Sequence, residues 1–249
     1  MAATASPARP SASRADREAE QRDHTAEALL TPPLFDLSCA QCPRLASHLG
    51  EVRVSHPLYH ARPVAPFGDP HARFLIVGLA PGMHGANRTG RPFTGDHAGV
   101  LLFATLHRHG FASHAGSADP HDGLVLRDCR ITNAVKCLPP ANKPLPAEVR
   151  ECNHYLAAEI ATTRPSVLLA LGRIAHDAIL IALGLRARDF GFRHHAWHAL
   201  PGGLSLVDSY HCSRYNTQTL RLTDAMFDAV IRDVALRLRD LPATAAHVR

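Results

Sequence analysis

The apolar positions fall into short dense runs separated by polar stretches rich in glycine and proline. Phe74–Val77, Cys129–Val135, Ser166–Leu171 and Leu204–Tyr210 read as strands, and Ser166–Leu171 is apolar on both faces, the pattern of a buried parallel strand. Helical segments lie between and around them. Val100–His109 ends at Gly110, a plausible C-cap. Pro146–Ile160 has its proline in the first turn and acidic residues soon after, as the helix dipole favours. Arg173–Leu183 follows Gly172, Thr223–Leu238 closes the pattern, and a short helical pattern follows Pro43. Residues 51–70 and 112–123 read as loops, and a turn-rich hairpin region is expected at 194–203. The alternation predicts a three-layer α/β/α sandwich with a mostly parallel, four-stranded central sheet.

The least core-like stretch is Gly78–Gly99, between the first strand and a helix. It carries six glycines, two prolines, two histidines, two arginines, two threonines, one asparagine and one aspartate. Loops leaving the carboxyl ends of strands are where α/β proteins bind ligands. Phe93 could stack on a planar ligand or anchor the loop. Asp96 could act on water, but its place after glycine and before a helix favours an N-cap. Asn133 lies in a strand, where asparagine is uncommon. Its amide could pair with a pyrimidine edge or be satisfied structurally. His211 follows the last strand and leads into Ser213, Arg214 and Asn216. It could donate to a developing oxyanion, or be one of eighteen histidines with no such role.

Composition narrows the class. With 249 residues, 46% of them hydrophobic, the chain can bury a core. No apolar run reaches the ~20 residues of a membrane span, and no apolar leader is visible, so a cytoplasmic monomer is expected. Residues 1–28 read as a disordered tail, 29–241 as a single domain and 242–249 as a C-terminal tail. The charge of +5 is compatible with nucleic acid but decides little. Six cysteines without an export signal point to metal or plain thiols rather than disulfides. Cys39 and Cys42 form one local pair, Cys137 and Cys152 another. Four thiolates can hold one zinc or one [4Fe-4S] cluster. The wide second spacing suits a cluster better than a zinc ribbon, and four unrelated thiols are the other reading.

Four features together resemble the family 5 uracil-DNA glycosylases, which carry an iron-sulfur cluster. They are Gly78-Leu-Ala-Pro-Gly82 continuing to Asp96; Ile131-Thr-Asn-Ala-Val-Lys-Cys137 with the prolines after it; cysteines 39, 42, 137 and 152; and His211-x-Ser-x-x-Asn216 with Arg221-Leu-Thr223. The resemblance covers about residues 37–238. It implies a structural [4Fe-4S] cluster on Cys39, Cys42, Cys137 and Cys152. It implies that Asn133 reads a flipped base, Phe93 stacks on it and His211 stabilises its charge. Gly78, Ala80 and Gly82 would line the base, and the Ser213–Asn216 loop, with Arg214 or Tyr215, would press into the duplex. Cys212 stands where the family usually has proline, and Leu220 where it usually has glycine.

The implied activity is hydrolysis of the N-glycosidic bond of uracil in double-stranded DNA, with other deaminated bases such as hypoxanthine as further substrates. Related glycosylases carry an acidic residue in the first motif, but the candidate positions here are Leu79 and Ala80. Water would then be held by neutral groups such as Asn87. No lysine is placed as a Schiff-base nucleophile, so a monofunctional enzyme is expected. The alternative is an iron-sulfur nucleic-acid-binding module without catalysis.

Overall fold

A computed structural model describes residues 35–241. The expected tails at 1–28 and 242–249 lie outside the described residues. Seven α-helices and six strands occur among the described residues. In chain order they are α1 (Pro43–Ser55), β1 (Phe67–Gly68), β2 (Phe74–Gly78), α2 (Ala86–Thr89), α3 (His97–Arg108), β3 (Cys129–Asn133), α4 (Pro146–Thr163), β4 (Val167–Leu171), α5 (Arg173–Ala182), β5 (Trp197–Ala199), β6 (Ser205–Ser209), α6 (Arg214–Gln218) and α7 (Asp224–Asp240).

The sheet order is β1-β3-β2-β4-β6-β5. The four expected strands are its parallel centre. Two short antiparallel edge strands, β1 and β5, bring the count to six rather than four. The sequence gives β1 almost no signal, because Phe67–Gly68 is two residues long and lies in a proline-rich stretch. For the same reason residues 51–70 are not simply loop: α1 runs on to Ser55 and β1 sits near the end.

Alternation along each central strand separates two cores. Phe74, Ile76, Val167, Leu169, Leu171 and Val207 face α3 and α7. Leu75, Val77, Leu168, Ala170 and Leu206 face α1, α4 and α5. All five residues of β2 are buried, and so are all five of β4. A sheet covered on both faces is the three-layer arrangement that crossover connections between parallel strands produce.

The helix ends follow from local chemistry. Pro43 and Pro146 open α1 and α4, where a missing N–H costs nothing. The Thr223 hydroxyl caps α7 by accepting from the Met226 amide at 3.2 Å. Glu148 reaches back to the Leu145 amide at 2.7 Å and also receives Arg44 through two bonds of 2.7 Å. That fork ties the first turn of α1 to the first turn of α4.

Helix α7 depends on apolar burial, with Phe227, Val230, Ile231 and Val234 fully inside. Replacing Phe227 by Ala should lower unfolding free energy by about 3–5 kcal/mol, measured by denaturant titration, with the denaturant dependence unchanged.

Candidate active site

The strand order reverses at β2, with β3 on one side and β4 then β6 on the other. Such a switch point opens a crevice at the carboxyl ends of the strands. A cleft of about 450 Å³ occupies it, lined by Leu79, Ala80, Gly82, Phe93, Asp96, His97, Asn133, Asn142, His211, Ser213 and Arg214 among others.

Its floor is set by register. Gly78 ends β2 directly opposite Asn133, the last residue of β3. A Cβ at Gly78 would overlap the Asn133 Oδ1 and stand 2.7 Å from the Phe93 ring. Gly78 itself does not line the cleft; its lack of a side chain makes room for two that do. Phe93 adopts φ +57°, a left-handed backbone that costs a bulky residue energy and is often found at functional sites. Its buried ring faces His211 with centroids 6.0 Å apart and planes 28° apart.

Two buried amides lack partners. Asn133 Oδ1 and both amide atoms of Asn87 make no hydrogen bond. Native proteins satisfy nearly all such atoms, so these are points where a ligand or water belongs. Asn133 borders the cleft, whereas Asn87 is fully buried and does not line it.

His211 follows β6 and is braced by Asn216, whose Nδ2 donates to the His211 carbonyl at 2.9 Å. Ser213 caps α6 by accepting from the Asn216 amide at 3.4 Å. The Ser213–Asn216 segment is therefore largely a capped helical turn rather than an open loop. Arg214 and Ser213 reach the cleft, while Asn216 acts behind it. Burial pushes the His211 imidazole down to about 4, so the ring is neutral near pH 7.

Asp96 departs from expectation. It occupies the N-cap position of α3 but makes no side-chain capping bond there. Its Oδ2 instead accepts from the Ala86 amide at 3.0 Å, across the glycine-rich loop. A Cβ at Gly85 would overlap this carboxylate. Burial raises the Asp96 carboxyl above its usual range, against the lowering by the Ala86 amide, Arg88 and His84. The first motif thus supplies a carboxylate to the cleft after all, from a position that local sequence assigns to a cap. His97, on the first turn of α3, and Asn142, in the turn Pro140–Asn142, also line the cleft and were not anticipated. Asn142 and its neighbour Ala141 both have positive φ, 56° and 54°; two adjacent residues of that kind could not be read from the sequence.

Leu220 takes φ +56° and is exposed. That is a left-handed backbone that glycine adopts freely and leucine only at a cost. Cys212 is fully buried in the α3/α7 core and does not open onto the cleft.

A second cavity lies at the other side of β3's exit. Cys39, Cys42, Cys137 and Cys152 line it together with Leu45, Val135 and Tyr155. No pair forms a disulfide. The Lys136 amide donates to Cys152 Sγ at 3.3 Å. Burial first, and then the neighbouring sulfurs, push the Cys42 thiol up to about 11 and Cys137 to about 12. The four sulfurs come from two separate parts of the chain and meet at this one cavity. The fork from Arg44 to Glu148 lies two residues after Cys42 and four before Cys152, so it fixes two of the four.

The sequence profile of the uracil DNA glycosylase superfamily matches residues 65–235, and the chain belongs to that superfamily. It is 48% identical over 210 residues to a type-5 uracil-DNA glycosylase of Thermus thermophilus, covering 82% of this chain and 95% of that protein. A type-5 uracil-DNA glycosylase of Pyrobaculum aerophilum is 40% identical over 203 residues, 80% of this chain and 88% of that protein. A type-4 enzyme of Thermotoga maritima is 35% identical over a shorter stretch, 55% of this chain and 58% of that protein. Within the superfamily, the type-5 uracil-DNA glycosylases are the group to which the chain belongs. No described helix is long and apolar enough to cross a membrane.

The neutral His211 has a measurable signature. In an NMR titration its ring should titrate near 4 rather than near 6.5. The unfolded chain then binds the extra proton first, so this residue's contribution to stability should be lost as pH falls from about 6.5 toward 4. A ring titrating near 6.5 in the folded protein would contradict the geometry.

Proposed function

We propose that the protein excises uracil from double-stranded DNA, and that the orphaned Asn133 amide in the cleft is what selects the base. Uracil presents an N3–H donor beside the O4 acceptor, which an asparagine amide meets with one acceptor and one donor. Hypoxanthine presents the same pair as N1–H and O6, which supports its excision as a second activity. The reacting C1′ is out of reach inside a duplex, so the nucleotide must turn out of the stack into the cleft. Phe93 offers it a flat wall. Tyr215 on α6 and Leu220 just beyond its end, exposed by 69% and 73%, are large side chains suited to fill the space the base leaves. Arg214 and the loop amides would hold phosphates.

In the reaction the C1′–N bond breaks and its electron pair leaves with the base. The neutral His211 ring donates a hydrogen bond to the charge growing on the base oxygen. Water attacks the cationic C1′ and gives a proton to Asp96, whose raised affinity for protons suits it to that role. The released base is then protonated from solvent. Lys136 and Lys143 are the only lysines of the chain. Neither lines the cleft, and Lys136 is buried against Thr132 and Glu159. That supports a glycosylase without strand-cleaving lyase activity.

The four cysteines suit a [4Fe-4S] cluster better than zinc. Among the described residues, the only three ligand-type groups whose donor atoms all lie within 4.8 Å of one another include no cysteine. A zinc ion at about 2.3 Å from each sulfur would need them closer than that. When bound, the cluster would serve as a structural cross-link. It would tie α1 and α4 to the segment that leaves β3, four residues beyond Asn133.

The decisive assay incubates the protein with a uracil-containing duplex and then cleaves abasic sites with alkali. Product should form only after alkali. His211→Ala and Asn133→Ala should each lower the single-turnover rate by about 100-fold or more while duplex affinity changes little. No product from iron-loaded protein would leave only a binding module. Purified protein should hold about four iron atoms per chain, and Cys137→Ser should lose them together with thermal stability; zinc in their place would refute the cluster.

A further inference from the structure

One group of ligand-type side chains takes no part in either site. His176 on α5, His198 on β5 and Asp208 on β6 bring their donor atoms within 4.8 Å of one another. His176 and Asp208 are fully buried, and the His198 side chain is only 12% exposed. Asp208 lies inside the sheet, opposite Ala170 of β4. A carboxylate there is costly unless cations or several donors meet it.

Its partners are specific. Asp208 Oδ1 is 2.7 Å from His176 Nδ1, and Oδ2 is 3.0 Å from His198 Nε2. The Arg193 amide donates to Oδ2 at 3.3 Å. On its far side, His176 Nε2 is 2.9 Å from the Phe190 carbonyl oxygen. A carbonyl only accepts, so Nε2 carries the proton. Nδ1 then faces a carboxylate, which also only accepts. Either the ring is a buried imidazolium, or a metal takes the Nδ1 lone pair.

A ring N–H held by a backbone carbonyl opposite a free nitrogen beside a carboxylate is how metal-ligating histidines are oriented. We propose that His176 Nδ1, His198 Nε2 and the Asp208 carboxylate form a binding site for a divalent transition metal, with Zn²⁺ the best match and water as the fourth ligand. Two imidazoles and a carboxylate are a common zinc set. At metal–ligand distances of about 2.0–2.1 Å, tetrahedral ligand atoms stand about 3.3 Å apart. The two rings now meet different oxygens of Asp208, at 2.7 and 3.0 Å, so the carboxylate has to turn one oxygen towards both rings as these spacings open. Phe192 packs edge-on against the His176 ring, and Phe190 against that of His198.

The site has a place in the architecture. It joins α5, β5 and β6 to the segment that carries His194. His194 stacks on Tyr210 at 5.0 Å between centroids, directly before His211. A bound ion would fasten the strand end that presents His211 to the cleft.

The test uses the full chain, treated with a mild chelator, reloaded with Zn²⁺, desalted and analysed for zinc and iron. Wild type should retain about one zinc per chain. His198→Ala, at an edge strand, should retain at least tenfold less with its iron unchanged. Cadmium NMR separates nitrogen and oxygen ligation from thiolate ligation; a resonance of the first kind in wild type, absent from His198→Ala, supports the site. Should that variant not fold, the His176 ring nitrogens of wild type decide, because zinc must move Nδ1 and leave Nε2 protonated. No retained zinc, equal zinc in the variant, cadmium on thiolates alone, or a His176 ring still doubly protonated with zinc present would overturn the proposal.

Discussion

The site rests on the absence of one side chain. Gly78 and Asn133 end adjacent parallel strands in register, and the space a Cβ would occupy at Gly78 is filled by the Asn133 amide oxygen and the edge of Phe93. Two side chains of the cleft thereby meet at one point of the sheet edge. The amide oxygen has no hydrogen-bond partner of its own, and the phenylalanine is held in a left-handed backbone. Both are costs the fold carries locally, and the sheet around them, buried on both faces, is rigid enough to hold them there.

Electrostatics of the cleft follow from the same burial. Excluding water lowers the proton affinity of His211 and raises that of Asp96, because burial disfavours the charged form in each case. The result is a neutral donor and a carboxylate of enhanced basicity in one cleft. That is the pairing on which the proposed mechanism draws. Asp96 shows how a motif can be legible while its chemistry is not. Its sequence position after glycine and before a helix is that of an N-cap, and it does sit there. The carboxylate turns the other way because the Ala86 amide, ten residues earlier, offers a donor across the bend of the loop.

The cysteine site and the cleft share a short piece of chain. Asn133 ends β3 and Cys137 follows four residues later, with the Lys136 amide on Cys152 between them. Arg44 and Glu148 hold the other contributors from α1 and α4. The chain that leaves Asn133 therefore runs directly into the cysteine site.

The four central strands, the main helices and several residues of the cleft were legible in the sequence because burial on two faces leaves dense apolar runs, because Asn133 and His211 are polar types at strand ends, and because Phe93 is an aromatic in a glycine-rich loop. The four cysteines stood out by type and spacing for a similar reason. Edge strands were not legible: Phe67–Gly68 needs only a partner's backbone, which leaves no side-chain pattern. Nor were Asn142 and His97, which reach the cleft only through the placement of a turn and a helix start. Eighteen histidines gave no hint that His176 and His198 converge on Asp208, since α5, β5 and β6 meet only when the sheet assembles. Local sequence determined which segments form and which residues are chemically capable. Tertiary structure decided which of them face one another, because distance, burial and the direction of a carboxylate are properties of packed elements and not of any one of them.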